Sequence, residues 1–238
     1  MIAFVYASVG FGGGSSYLAV LAMYELPFQE IRLTALVCNI VVVTGGTFIF
    51  IRNKQVNWRR ILPLAIVSVP MAYLGAIIKI SQNTFFILLG CSLIAAAILL
   101  WIRTKALNDN DVVINQNYAK DGLLGGSIGF LSGMVGIGGG IFLAPVLHLL
   151  RWDKAKSIAA TACVFILVNS ISGIAGQMTR LPSDINYVRV ALLSASVLIG
   201  GQLGSRMGSA KFNPMVIRRL TAMLVFVAGV EVLVRHLQ

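Results

Sequence analysis

The chain has 238 residues, of which 58% are hydrophobic and only 11% charged, and its mean hydropathy is +0.87. A soluble domain of this length needs far more charge to cover its surface, and a closed barrel would show alternating ten-residue segments; neither is present, while apolar runs of spanning length recur. The class is therefore an all-α polytopic membrane protein. The net charge of +11 does not point to nucleic acid, because the basic residues sit in short loops between apolar runs, where they orient a chain in the bilayer and draw anions to its surface. Cys38, Cys91 and Cys163 all lie within apolar runs, which argues against a disulfide framework and leaves no metal-type spacing, so neither metal nor cofactor is expected.

Taken in chain order, the first apolar segment covers 1–25. It starts at Met1 with no basic leader and no A-x-A site, and reads as structure rather than signal peptide. Inside it lies VGFGGGSSYLAV, Val9 to Val20. A glycine costs about 1 kcal/mol relative to alanine in a helix interior, so Gly12, Gly13 and Gly14 predict a break, with a new half-helix from Ser15. Helices are then expected over 30–51, 60–80 and 84–103, followed by the polar linker 104–119. The second series covers 120–150, 155–177, 186–206 and 213–236. Its first segment is also broken, by Gly138, Gly139 and Gly140 in GIGGGIFLAP, with a half-helix expected from Ile141.

The two series read as one unit written twice, 1–103 and 120–238. The glycine triplets are 126 residues apart, Thr34-Ala35 recurs as Thr161-Ala162 and Gly46 as Gly173 at 127, and Leu74-Gly75 recurs as Leu203-Gly204 at 129. If all eight segments crossed the membrane, the 19 basic residues would divide ten to nine between the faces, which sets no orientation. If each glycine-broken segment instead enters and leaves on one face, the halves are inverted and the division becomes 14 to 5. That is a positive-inside pattern with both termini outside.

Non-helical backbone at membrane depth must be buried in protein or line a wet cavity, and paired breaks in inverted halves point to a transporter's central site. Each new half-helix would offer free amides and a positive dipole end to an anion. Ser15 and Ser16 add hydroxyls in the first half, where the second has Ile141 and Phe142. Glycines also permit close helix packing, the role expected of Gly200, Gly201 and Gly204.

GFLSGMVGIGGGIFLAPVL, Gly129 to Leu147, with the Ala159–Thr161 stretch after it, resembles the TauE/SafE family of sulfite exporters and related anion transporters. SVGFGGGSSYLAV with Arg32–Ala35 is similar to that family's first-half motif, departing in its short lead and in Ser15-Ser16. The resemblance spans essentially the whole chain. It implies a multi-pass protein of the bacterial inner membrane that moves sulfite, or another small sulfur oxyanion or organosulfonate, in the direction of export.

If the glycine turns reach the midplane, Cys38 and Asn39 in 30–51, and Cys163, Asn169 and Ser170 in 155–177, lie beside them, with Thr34 and Thr161 nearer the helix ends. Each Asn amide is either a donor to a sulfonate oxygen or an interhelical hydrogen bond. The cysteines read as small hydrophobes. Arg32 and Arg206 either attract an anion at opposite mouths or orient the chain. Of the eight acidic residues only Glu231 lies inside an apolar run, four before Arg235, so no buried carboxylate is expected for a cation site or proton relay. Two other readings compete with a carrier: a passive anion channel, and an intramembrane hydrolase using Ser15 or Ser16 with His148. The hydrolase lacks an acidic orienter near its residues.

Overall fold

The computed structural model describes residues 14–22, 24, 26–102, 117–179, 185–211 and 214–237, and the side chains of Ser15, Ser16, Ala19, Ala155, 201–218, Leu220, Thr221, Leu224, His236 and Leu237 fall outside that description. The described residues form nine helices and no strand. They are α1 (Gly14–Ala22), α2 (Phe28–Arg52), α3 (Trp58–Ile77), α4 (Gln82–Ile102), α5 (Tyr118–Val135), α6 (Gly140–Leu149), α7 (Ala155–Met178), α8 (Tyr187–Lys211) and α9 (Pro214–Leu237). Among these, α2, α3, α4 and Lys156–Met178 of α7 are long and apolar enough to cross a membrane. α6 has ten residues, so it is roughly 15 Å long, about half of a hydrocarbon core. Large apolar side chains stay exposed along the outer faces, among them Phe48, Ile66, Leu74, Leu123 and Leu192. A multi-pass chain surrounded by lipid keeps such residues outside without penalty.

The helices associate in matched sets. α2 packs on α7 and α4 on α9; α3 packs on α7 as α8 does on α2; α6 packs on α4 as α1 does on α9. Phe85, Leu89, Leu93 and Leu143 fill the interior of this arrangement together with Phe165. Two ion pairs follow the same scheme. Arg60, third residue of α3, reaches Asp153 before α7 at 3.4 Å, and Arg189, third residue of α8, reaches Glu30 in the first turn of α2 at 2.9 Å. Arg60 also donates to the Trp152 carbonyl and lies over the indole ring, whose Nε1–H donates to Asp121 at 3.0 Å. The start of α3, the start of α5 and the turn before α7 are thereby tied together.

These ties correct the expectation that no carboxylate is buried. Glu30 and Asp121 are 3% and 8% exposed. Both stand at helix ends, as the sequence indicates, but neighbouring helices cover those ends and supply a guanidinium or an indole N–H. Glu231 does pair with Arg235, at 2.9 Å.

The closest helix contact belongs to α5. Gly125, Gly129 and Gly133, one turn apart, face Leu64, Ser68 and Ala72 of α3, also one turn apart. A Cβ on each glycine would lie 2.9, 2.8 and 2.8 Å from the facing Cα. Small residues repeated every four positions let two backbones meet in lipid. Gly201 and Gly204 lie in α8, where their surroundings are outside the description. Because the Gly129 Cβ would meet backbone and not a movable side chain, Gly129→Val is expected to lower stability by about 1–3 kcal/mol or more. Thermal unfolding of purified protein measures this, with the exposed Ser127→Ala as the control that leaves the transition unchanged.

Candidate functional site

α5 stops at Val135 and α6 starts at Gly140, and the four residues between form the break. Gly136 caps α5 in the left-handed region (φ 84°), and Gly138 and Gly139 follow at φ 81° and 80°, conformations that only glycine adopts without strain. Gly139 is the N-cap of α6, so that helix begins at Gly140, one residue before the Ile141 expected from sequence. In α1, Gly14 is already helical. With no side chain capping α6, its first amides have no partner within the helix.

The last carbonyls of a helix and those of a non-helical turn also need partners. Here α2 supplies two. Arg32 Nη2 donates to the Gly133 carbonyl at 2.8 Å, and Asn39 Nδ2 donates to the Ile137 carbonyl at 2.9 Å. The two residues are seven apart, which is two turns, and so share one face of α2. Gly136 rests on the Arg32 side chain, where a Cβ would come within 3.1 Å. A guanidinium at a helix C-terminus also opposes the negative end of the dipole. Arg32 is thus 4% exposed and fastened to the break.

Asn39 also meets the other half-helix: a Cβ on Gly14 would collide with its amide, and one on Gly138 would lie 2.6 Å from Nδ2. From α7, Ser170 Oγ would lie 3.0 Å from the same Gly138 Cβ, and Ile166 presses on Gly140. Gly14, Asn39, Gly138, Gly139, Gly140 and Ser170 therefore converge where α1 and α6 begin. The Ser170 hydroxyl is buried without a hydrogen-bond partner, as is that of Ser132 beside Gly139. The second N–H of Asn39 is not used by its bond to Ile137.

Other candidates point elsewhere. Asn169 donates to Phe165 O on its own helix at 2.9 Å. Cys38 lies 3.9 Å from Ser194 Oγ on α8, and Cys163 faces Gly46 across the α2–α7 contact. Thr34 and Thr161 are both buried, and the Thr161 hydroxyl has no partner. His148 closes the last turn of α6. Gly12 and Gly13 lie outside the described residues, as do the side chains of Ser15, Ser16 and Arg206. Sequence reasoning passed over Ser132 and Ile166. Ser132 had a visible signal, seven residues before Gly139; Ile166 is apolar, and only its seat on Gly140 reveals it.

The sequence profile of the sulfite exporter TauE/SafE family matches residues 1–232. A probable membrane transporter protein of Sinorhizobium fredii is 32% identical, over 98% of this chain and 94% of that protein. Probable membrane transporter proteins of Bacillus subtilis and Methanocaldococcus jannaschii are 24% and 26% identical, over 92% and 76% of this chain and 89% and 70% of their own lengths. No solved structure gives a significant match.

Asn39→Leu keeps the branching and heavy-atom count of the side chain but leaves the Ile137 carbonyl buried and unpaired. A loss of about 1–3 kcal/mol is expected from the unpaired group, read as a lowered unfolding midpoint of the purified protein. Asn169→Leu, whose amide serves only its own helix, is expected to cost less than Asn39→Leu.

Proposed function

The chain belongs to the TauE/SafE sulfite exporter family of membrane transporters, and on that premise we propose that it moves a small sulfur-containing anion, sulfite or an organosulfonate, out of the cell across the inner membrane. The anion sits between the starts of α1 and α6. The observation that carries this reading is the Ser170 hydroxyl, buried and unpartnered, aimed at the uncapped start of α6 beside Gly138. Amides at a helix start and neutral hydroxyl and amide donors hold an oxyanion without a buried cation. The positive φ values of Gly138 and Gly139 require residues without a Cβ, and so let Asn39, Ser170 and Ser132 approach the backbone at the break.

Transport proceeds by alternating access between two inverted halves. The matched helix contacts, α3 on α7 with α8 on α2 and α1 on α9 with α4 on α6, support that reading, because a two-fold relation between repeats exchanges the members of each set. So does the 14-to-5 division of basic residues. α6, about half a bilayer long, fits a segment that turns back at depth.

Three measurements test the proposal. Gly138→Ala is expected to abolish sulfite flux in proteoliposomes while the protein still inserts, and Ser170→Ala to reduce it about tenfold; wild-type flux in both variants would refute the site. Saturable uptake with counterflow is expected of a carrier, and its absence would favour a passive channel. Reporters fused to either terminus are expected on the periplasmic side and one within 108–115 in the cytoplasm; a cytoplasmic C-terminus would overturn the inverted arrangement.

A further inference from the structure

A cleft of about 450 Å³ opens between the first turns of α2, the end of α3, the turn that follows it and the last turn of α7. Its polar wall holds Arg32, Lys79 and Gln177, and its apolar wall includes Phe28, Ile77 and Ile80. The close approach of Gly176 to Ala76 and Tyr73 brings the end of α7 against α3 and sets Gln177 in the wall. Gln177 is 6% exposed, and neither atom of its amide has a partner. Arg32 spends Nη2 on the Gly133 carbonyl, but its Nε–H is buried and unpaired. Lys79 is exposed at the rim, and no carboxylate stands among the described residues that line the cleft. The nearest acid on α2, Glu30, is engaged by Arg189.

Buried donors of this kind are costly unless something accepts from them. Two cations with the Gln29, Gln82 and Gln177 amides and the Ser81 hydroxyl, and no acid among the described lining residues, select an anion. The volume and the apolar wall restrict it further, because ligand pockets of roughly 300–1,000 Å³ bury whole organic molecules, whereas a bare inorganic oxyanion would leave the apolar wall unused. By the repeat spacing of 127 to 129, Arg32, Gln177 and Lys79 correspond to Ala159, Phe50 and Gly208. The other half therefore has no such set, and the donors are not a requirement of the repeated fold.

We infer that this cleft is a second anion site, outside the helix break, for a small organic oxyanion: a sulfonate or carboxylate head held by Lys79, Arg32 Nε–H and the Gln177 amide, with a short apolar body against Phe28, Ile77 and Ile80. The inference rests on the reading of this chain as an anion carrier. Arg32 connects the two places, since its guanidinium lines the cleft while its stem carries Gly136 at the entrance to the break.

The test is calorimetric titration of the full-length protein in phosphatidylcholine nanodiscs with sulfite, methanesulfonate and butanesulfonate. Butanesulfonate is expected to bind about tenfold more tightly than methanesulfonate. Lys79→Gln and Gln177→Leu are each expected to weaken butanesulfonate at least threefold, and the exposed Ser127→Ala, remote from the cleft lining, to leave it unchanged. Equal affinity for the two sulfonates, or unchanged affinity in both cleft variants, would overturn the cleft site. So would loss of butanesulfonate binding in phosphatidylglycerol nanodiscs, since the occupant would then be an anionic lipid. Weakening by Ser170→Ala but by neither cleft variant would place the sulfonate at the break and also overturn the inference. Sulfite flux that survives Gly138→Ala while butanesulfonate still needs Lys79 and Gln177 would remove the break site and uphold the cleft.

Discussion

A backbone that leaves helical geometry inside a hydrophobic protein has no water to bond with, and every part of this structure around residues 136–139 answers that requirement. Two of the carbonyls that α5 and the turn leave open, those of Gly133 and Ile137, are met from α2 by Arg32 and Asn39. Those side chains reach them only because α5 lies close to α3 along its glycines, and α3 and α2 both pack on α7. The break is therefore held from the other half of the chain, across 98 to 101 residues of sequence. A local loop could not have been stabilised in this way in lipid.

The two halves depend on each other at their ends as well. Arg60 and Arg189 occupy the same position in α3 and α8, and each is anchored by an acid next to the long helix of the opposite half. Such a partly covered pair contributes only modestly to stability, but removing one member leaves a covered charge alone. Arg60 carries two further contacts, to the Trp152 carbonyl and its ring, so the clamp around α5 is the more elaborate of the two. The bonds that set the break and the bonds that set the helix ends thus share one pattern, in which each half is completed by the other.

Much of this was legible in the residues. Apolar runs with little charge gave an all-helical membrane class, and the glycine motifs around Gly138 pointed to the family. What the sequence hid was the traffic between distant positions. Arg32 reads as a loop-end cation, because nothing nearby announces the Gly133 carbonyl 101 residues away. Asn39 and Asn169 look alike in sequence, yet one crosses to Ile137 and the other folds back on its own helix. Glu30 and Asp121 read as exposed helix-end acids until the covering helices are known. The four-residue rhythm of Gly125, Gly129 and Gly133 was visible, but its partner strip on α3, which includes Leu64, carries no comparable mark.

By the repeat spacing of 127, Asn39 corresponds to Ile166, and each presses on the first glycine of its own half-helix, Gly14 or Gly140. In an assembly of two identical chains, whatever residue stood at this place would stand there twice. Joining both units in one polypeptide releases that constraint, so an amide can occupy one wall while an aliphatic group occupies the facing one. Under the proposed site, a molecule lying between them would meet an amide on one side and an aliphatic group on the other, a polarity that a homodimer of a single repeat could not possess.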